Sequence, residues 1–164
     1  MRSLAAGSLL LALLLFGAPD ARGQIAIGPE LSVAEDVDVG IGVIIEAPLT
    51  SIYETLEFAG RFTFYFPDGF DYWEIEGDVR YLFPLSGGND LVPYALAGLA
   101  LGHFSWNYDF PGAEGSVSDT EIALRIGGGL KVPMNRFIPF AELGLGIGDL
   151  PDFSLRLGGT FPLG

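Results

Sequence analysis

Hydrophobic and polar residues alternate along five stretches of this chain. In residues 37–46 every odd position is Val or Ile, and the even positions are acids and glycines apart from Ile44. Because successive side chains of a β-strand leave opposite faces, a repeat of two predicts strands with one apolar and one polar face. The same alternation occupies residues 56–66, 73–83, 121–132 and 153–163.

The whole chain divides into strand-like runs separated by turn-forming residues. Pro, Gly, Asn and Asp fill most of the short breaks, and the longest break spans residues 107–118. Consecutive strands joined by short connections predict an all-β fold, an eight-stranded antiparallel up-and-down barrel. The eight runs cover about residues 25–34, 37–47, 53–66, 72–84, 91–106, 119–132, 137–148 and 153–163.

Two kinds of barrel share this pattern. A soluble lipocalin-like carrier would turn the apolar face inward, whereas a transmembrane barrel turns it toward lipid and keeps a polar, filled interior. The glycines favour the second, because a narrow barrel needs small residues beside large ones and a solvent-facing strand gains nothing from glycine. The polar faces carry Gly40, Gly42, Gly127, Gly129, Gly144, Gly146 and Gly148.

Aromatic residues lie near the ends of the apolar faces, as expected of an interfacial girdle. This observation also favours the transmembrane barrel. The predicted girdle residues are Tyr53, Trp73, Tyr81, Phe83, Tyr94, Trp106, Phe137 and Phe161.

Turning the polar faces inward collects many charges in one narrow space. Such charges must be paired, because an isolated buried charge costs several kcal/mol. Eight strands leave no aqueous channel, so we expect a structural network that closes the barrel and no gated ion path. The predicted network consists of Glu30, Glu57, Arg61, Glu74, Glu76, Asp78, Arg80, Glu121, Arg125, Lys131, Glu142 and Arg156.

The N-terminus has the three regions of a secretory signal peptide. Arg2 supplies the positive start, residues 9–16 form the apolar core, and residues 21–23 give a small-x-small cleavage site. We therefore expect residues 1–23 to be a cleaved signal peptide and residues 24–164 to form one barrel domain.

Composition narrows the partners further. Removing Arg2, Arg22 and Asp20 with the signal peptide leaves six cations and twenty acids, a net charge of −14. Nucleic acid is an unsuitable partner for such a chain, because phosphate binding needs clustered Lys and Arg. The chain has no cysteine, and no segment has the spaced acids of a calcium loop. We expect no metal and no cofactor, and we interpret the acids in the connections as solvated residues.

Three segments resemble strands of the eight-stranded outer-membrane barrels of OmpA and opacity type. They are residues 93–102 (PYALAGLALG), 125–131 (RIGGGLK) and 139–146 (PFAELGLG). The resemblance implies a monomeric protein of the bacterial outer membrane, in contact with membrane lipid and lipopolysaccharide and folded by the barrel assembly machinery. It implies a structural or surface-interaction role, not an enzyme.

The single histidine leaves an enzymatic alternative open. His103 and Ser105 share a strand face, which could place a general base near a nucleophile, with Glu114, Asp119 or Glu121 as the orienting acid. This pair is similar to that of the lipid A deacylases, which share the barrel. The match is incomplete because Trp106, not Asn, follows the serine.

Overall fold

The computed structural model describes residues 24–85, 91–110, 113–134 and 136–163. Their strands pair antiparallel in chain order, and the pairing of β1 with β8 closes a barrel, so the predicted fold is confirmed. The predicted signal peptide and the predicted turn at residues 86–90 lie outside the described residues. In the described part of the chain, no helix is long and apolar enough to span a membrane. The strands are β1 (Ala26–Ala34), β2 (Asp38–Pro48), β3 (Leu56–Tyr65), β4 (Asp71–Leu82), β5 (Val92–Phe110), β6 (Ala113–Lys131), β7 (Ile138–Gly148) and β8 (Phe153–Pro162).

The two ends of the barrel differ in how far the strands extend. At the terminal end, where β1 begins and β8 finishes, the strands stop close together. At the opposite end, here called the hairpin end, β5 loses its β4 partner after Ser105 but stays paired with β6 as far as Phe110. The predicted loop at residues 107–118 was therefore wrong for most of its length. Residues 107–110 and 113–118 continue β5 and β6 as a two-stranded ribbon, in which each strand satisfies backbone groups of the other.

The apolar faces of the strands point out of the barrel. Phe62 and Leu157 are 46% and 52% exposed, whereas their neighbours Arg61 and Arg156 are 4% and 1% exposed. Ile44, the apolar residue on the polar face of β2, is fully buried. A soluble carrier would need the reverse arrangement, with the apolar face inside. The sequence-based choice of an outward apolar face is confirmed.

Inward glycines make room for large side chains across the interior. A Cβ atom added at Gly129 would lie 2.5 Å from the Tyr94 ring and 2.5 Å from the carbonyl oxygen of Ala141. A Cβ added at Gly158 would lie 2.7 Å from the Phe140 ring. All three distances are too short for a carbon atom, so these two positions require glycine for packing.

Apolar side chains close the interior at the hairpin end. The Tyr72 ring stacks on Phe104, with ring centroids 4.4 Å apart, and also packs against Tyr65. Two connections contribute to the same cluster, through Val37 between β1 and β2 and Leu150 between β7 and β8. Connections folded over the mouth thus separate the interior from solvent at this end.

Aromatic side chains form an outward belt at the terminal end. Tyr53 stacks with Tyr81, with ring centroids 6.2 Å apart, and Phe137 lies 5.1 Å from Phe161. Phe83 extends the belt beside Tyr81. Such a belt is what strands crossing a membrane interface carry.

Two residues assigned to the girdle from the sequence lie elsewhere. Tyr94 is 3% exposed and points inward, because it shares its face of β5 with Leu96 and Ala100. That face of β5 carries no charge to mark it as interior, so the predicted outward position of Tyr94 was wrong. Trp106 lies on the ribbon beyond the last β4 pairing, on the face that continues from the barrel interior.

Candidate functional site

The barrel interior is filled with charged side chains. Among the described residues, seven carboxylates and five cations are buried, and none of them is more than 8% exposed. Because every strand contributes alternate residues to the interior, the charges meet across the barrel from distant parts of the sequence. The buried acids are Glu30, Glu46, Glu57, Glu74, Glu76, Asp78 and Glu142, and the buried cations are Arg61, Arg80, Arg125, Lys131 and Arg156.

Glu142 on β7 is the centre of this network. Its carboxylate accepts hydrogen bonds from Arg61 at 2.5 and 3.2 Å, from Arg80 at 2.7 Å and from Arg156 at 3.2 Å. The Tyr94 hydroxyl donates a further bond of 2.9 Å. Charge-assisted hydrogen bonds are stronger than neutral ones, so one carboxylate links strands on all sides of the barrel.

A second layer lies toward the terminal end. The Lys131 ammonium is 2.9 Å from Glu46 and 2.5 Å from Glu57, and Arg80 contacts the same two carboxylates at 2.5 and 3.4 Å. The Arg80 guanidinium also lies 4.7 Å from the centre of the Tyr94 ring. This layer fills the interior between Glu142 and the terminal end.

A third layer lies toward the hairpin end. Arg125 donates to Glu74 at 2.7 Å and to the carbonyl oxygen of Pro151 at 2.7 Å. Arg156 reaches Glu74 at 3.1 Å and Glu76 at 2.6 Å. Pro151 follows Leu150 in the connection between β7 and β8. Arg125 therefore connects the charged network to the apolar cluster at the hairpin end.

Asp78 is the least satisfied of the buried acids. Both of its carboxylate oxygens lack a hydrogen-bond partner among the described residues, and its nearest cation is Arg61 at 3.5 Å. Oxygens of Glu76, Asp78 and Glu142 lie within 4.8 Å of one another, as the ligands of a metal ion could. Arg61 and Arg156 already donate into this triangle and supply the positive charge that a metal would bring.

The predicted network and the observed one differ at two acids. Glu121 is only half-buried near the hairpin end, and the charges acting on it are those of Asp119 and Asp149 rather than a cation. Glu46 was not among the predicted members, although it pairs with both Arg80 and Lys131. Its signal was present in the sequence, because it continues the polar face of β2.

His103 lies on the outward face of the barrel. Its ring stacks on Trp73, with centroids 5.0 Å apart, and its Nδ1 atom is 2.8 Å from the Thr120 hydroxyl. Asp119 and Glu121 pair with Phe104 and Gly102, which puts both acids on the opposite face. The structure therefore does not bring either acid to His103. The side chain of Glu114 lies outside the described residues.

The structure has the fold of the eight-stranded outer-membrane β-barrels. One similar structure is the N-terminal β-barrel domain of Pseudomonas aeruginosa OprF, with a TM-score of 0.65, 23% identity, and coverage of 84% of this chain and 96% of that one. Neisserial surface protein A gives a TM-score of 0.53, 18% identity, and coverage of 85% and 95%.

A third similar structure is a major outer membrane protein from Thermus thermophilus, with a TM-score of 0.61, 13% identity, and coverage of 85% of this chain and 99% of that one. No protein-family model matches the chain, and no curated protein matches it. At these identities the likeness establishes the fold.

Proposed function

We propose that this protein is an integral protein of the bacterial outer membrane with a structural or surface-interaction role and no open pore. The observation that carries the proposal is the pairing of an outward apolar surface with an interior filled by bonded charges. Apolar strand faces such as those of Phe62 and Leu157 need hydrocarbon around them, and the fold is that of outer-membrane barrels.

The remaining parts of the proposal follow from this placement. Residues 1–23 direct export and are removed, the barrel assembly machinery folds the chain, and the barrel works as a monomer. Its apolar surface contacts membrane lipid, and the hairpin end reaches the lipopolysaccharide headgroups and the medium outside. The bonded layers around Arg80, Glu142 and Arg125 support the absence of an open pore.

Fractionation and gel migration test this proposal directly. The protein should leave the envelope only with detergent, and it should migrate faster unheated than heated, because a folded barrel resists the detergent of the gel. Planar bilayers containing it should show no steady conductance. A compact monomer released by plain buffer would refute the membrane placement, and a steady current would refute the closed interior.

A further inference from the structure

The ribbon at the hairpin end carries its apolar residues on an unexpected face. Within the barrel, large apolar residues on the exposed face of β5, such as Leu99, point outward to the lipid side. Near the start of the ribbon, that outward face becomes polar, with Ser105 and Thr120, as expected where strands leave a membrane. The face that continues from the interior instead carries Trp106 and its pairing partner Val117, which are 48% and 47% exposed.

Neither contact with lipid nor packing in the barrel core explains why apolar residues lie on this face of the ribbon. It lies on the side of the ribbon above the closed mouth, and its base is fixed because Phe104 packs between Tyr72 and Phe70. Trp106 follows on the same face two residues later. A rigid base that presents an exposed indole is the arrangement expected of a binding anchor, since Trp is enriched among the residues that dominate interfaces.

The charges around this face are of one sign. Asp119 and Glu121 lie on the same face of β6 as Val117, and Asp149 acts on Glu121 from the neighbouring connection. Of the six cations in residues 24–164, five are the buried cations of the interior, and the sixth, Arg136, lies at the terminal end. No exposed Lys or Arg therefore accompanies the acids at the hairpin end in the described residues. Other acids at this end are exposed, and they are Glu35, Asp36, Asp38, Asp68, Asp71 and Asp152.

We propose that the face formed by Trp106, Val117, Asp119 and Glu121 binds a basic, extended polypeptide segment. A Lys or Arg side chain can lie over the indole ring while a carboxylate pairs with its charge. The surrounding acids attract a cationic partner and repel phosphates and sulfates. The inference rests on the proposed function, which places the hairpin end outside the cell.

The ribbon edge indicates a polypeptide rather than a small cation. Within the described residues, β7 pairs with β6 only from Ala123, so Gly115 to Glu121 have no strand partner on that side. Unpaired backbone N–H and C=O groups beside the aromatic face can bond to an extended chain. A basic peptide therefore finds backbone, aromatic and acidic groups together.

Binding of short labelled peptides to the full protein in neutral detergent micelles tests the proposal. An Arg- and Lys-rich peptide should bind, with an affinity that falls as salt rises, and a Glu-rich peptide of equal length should not. Trp106→Ser should weaken binding about tenfold, as expected for a central anchor. Asp119→Asn with Glu121→Gln should weaken binding and flatten its salt dependence. Tyr53→Ser and Glu54→Gln, which change an exposed aromatic and an exposed acid at the terminal end, should leave binding unchanged.

Three results would overturn the inference. They are equal affinity of the Trp106→Ser and Tyr53→Ser proteins, binding of the Glu-rich peptide as tight as that of the basic one, and no detectable binding of the basic peptide. Each variant is first checked for heat-modifiable migration and for its place in the envelope. Failure of the unmodified, correctly placed protein to bind the basic peptide refutes this inference alone, whereas failure of those checks in the unmodified protein refutes the proposed function.

Discussion

Replacing Glu142 with glutamine, and separately Asp78 with asparagine, distinguishes two explanations of the stability of the interior. Each substitution neutralises one buried carboxylate in an interior that holds seven carboxylates and five cations. If net charge alone governs stability, both variants should move it equally and toward greater stability. If specific bonds govern it, the two variants should differ strongly.

Glu142→Gln should be the destabilising change. The carboxylate accepts bonds from three arginines and from Tyr94, and an amide keeps only one oxygen. In either orientation the new NH₂ group meets donors, so about two charge-assisted bonds are lost at roughly 1.5–3 kcal/mol each. Removing one partner of a buried ion pair typically lowers the free energy of unfolding by about 3–5 kcal/mol. Both considerations predict a loss of roughly 3–5 kcal/mol in the free energy of unfolding.

Asp78→Asn should be nearly neutral or stabilising. Neither Asp78 oxygen accepts a hydrogen bond among the described residues, and the contact with Arg61 at 3.5 Å is the nearest opposite charge. Removing a poorly paired buried charge relieves its desolvation cost, and asparagine has nearly the same volume. We expect a change of no more than about 1 kcal/mol.

Denaturant unfolding in lipid vesicles provides the measurement. The folded fraction is read from the gel shift between folded and unfolded protein, and linear extrapolation gives the free energy of unfolding of each variant. Unfolding and refolding curves must coincide for the comparison to hold. Equal changes in the two variants, or a Glu142→Gln protein as stable as the parent, would refute the bonded-network explanation.

Three further predictions concern packing, the pore and catalysis. Gly129→Ala should cost about 1–3 kcal/mol because the added carbon overlaps the Tyr94 ring, whereas Gly77→Ala, whose added carbon lies 3.6 Å from the nearest neighbour, should stay within about 0.5 kcal/mol in the same unfolding assay. Arg125→Ala should lower the temperature of the gel shift because buried Glu74 and the carbonyl oxygen of Pro151 each lose a charge-assisted hydrogen bond, yet planar bilayers should show no new conductance. His103→Ala should leave the lipid A of expressing cells unchanged by mass spectrometry, and a changed lipid A would revive the hydrolase hypothesis.

The inward face of most strands could be predicted, because the pattern that determines it lies within each strand. A two-residue repeat fixes which side chains share a face, and glycine on the polar face identifies that face as the crowded one. The same repeat places Ile44, an apolar residue, inside the barrel, and the structure buries it. The prediction was wrong for Tyr94, because the inward face of β5 consists of apolar and small residues and gives no contrast with the outward face.

The partners within the interior could not be predicted in the same way. Glu142 meets Arg61 across the barrel, and they are 81 residues apart in the chain. Which charges meet depends on the stagger of all the strands, and no single strand pattern encodes that stagger. For the same reason Glu121 was expected to join the network, although its level in the barrel places it with other acids near the mouth.

The burial of the cations in the interior determines the net charge of the exposed surface. Five of the six cations in residues 24–164 are buried in the interior. The exposed residues at the hairpin end therefore carry a strongly negative net charge. An interior of this kind cannot serve as a binding site while it also holds the barrel together, because a ligand would have to displace bonds such as those of Glu142. The proposed peptide binding therefore falls on the outside, where the ribbon with Trp106 combines exposed apolar area with uncompensated negative charge.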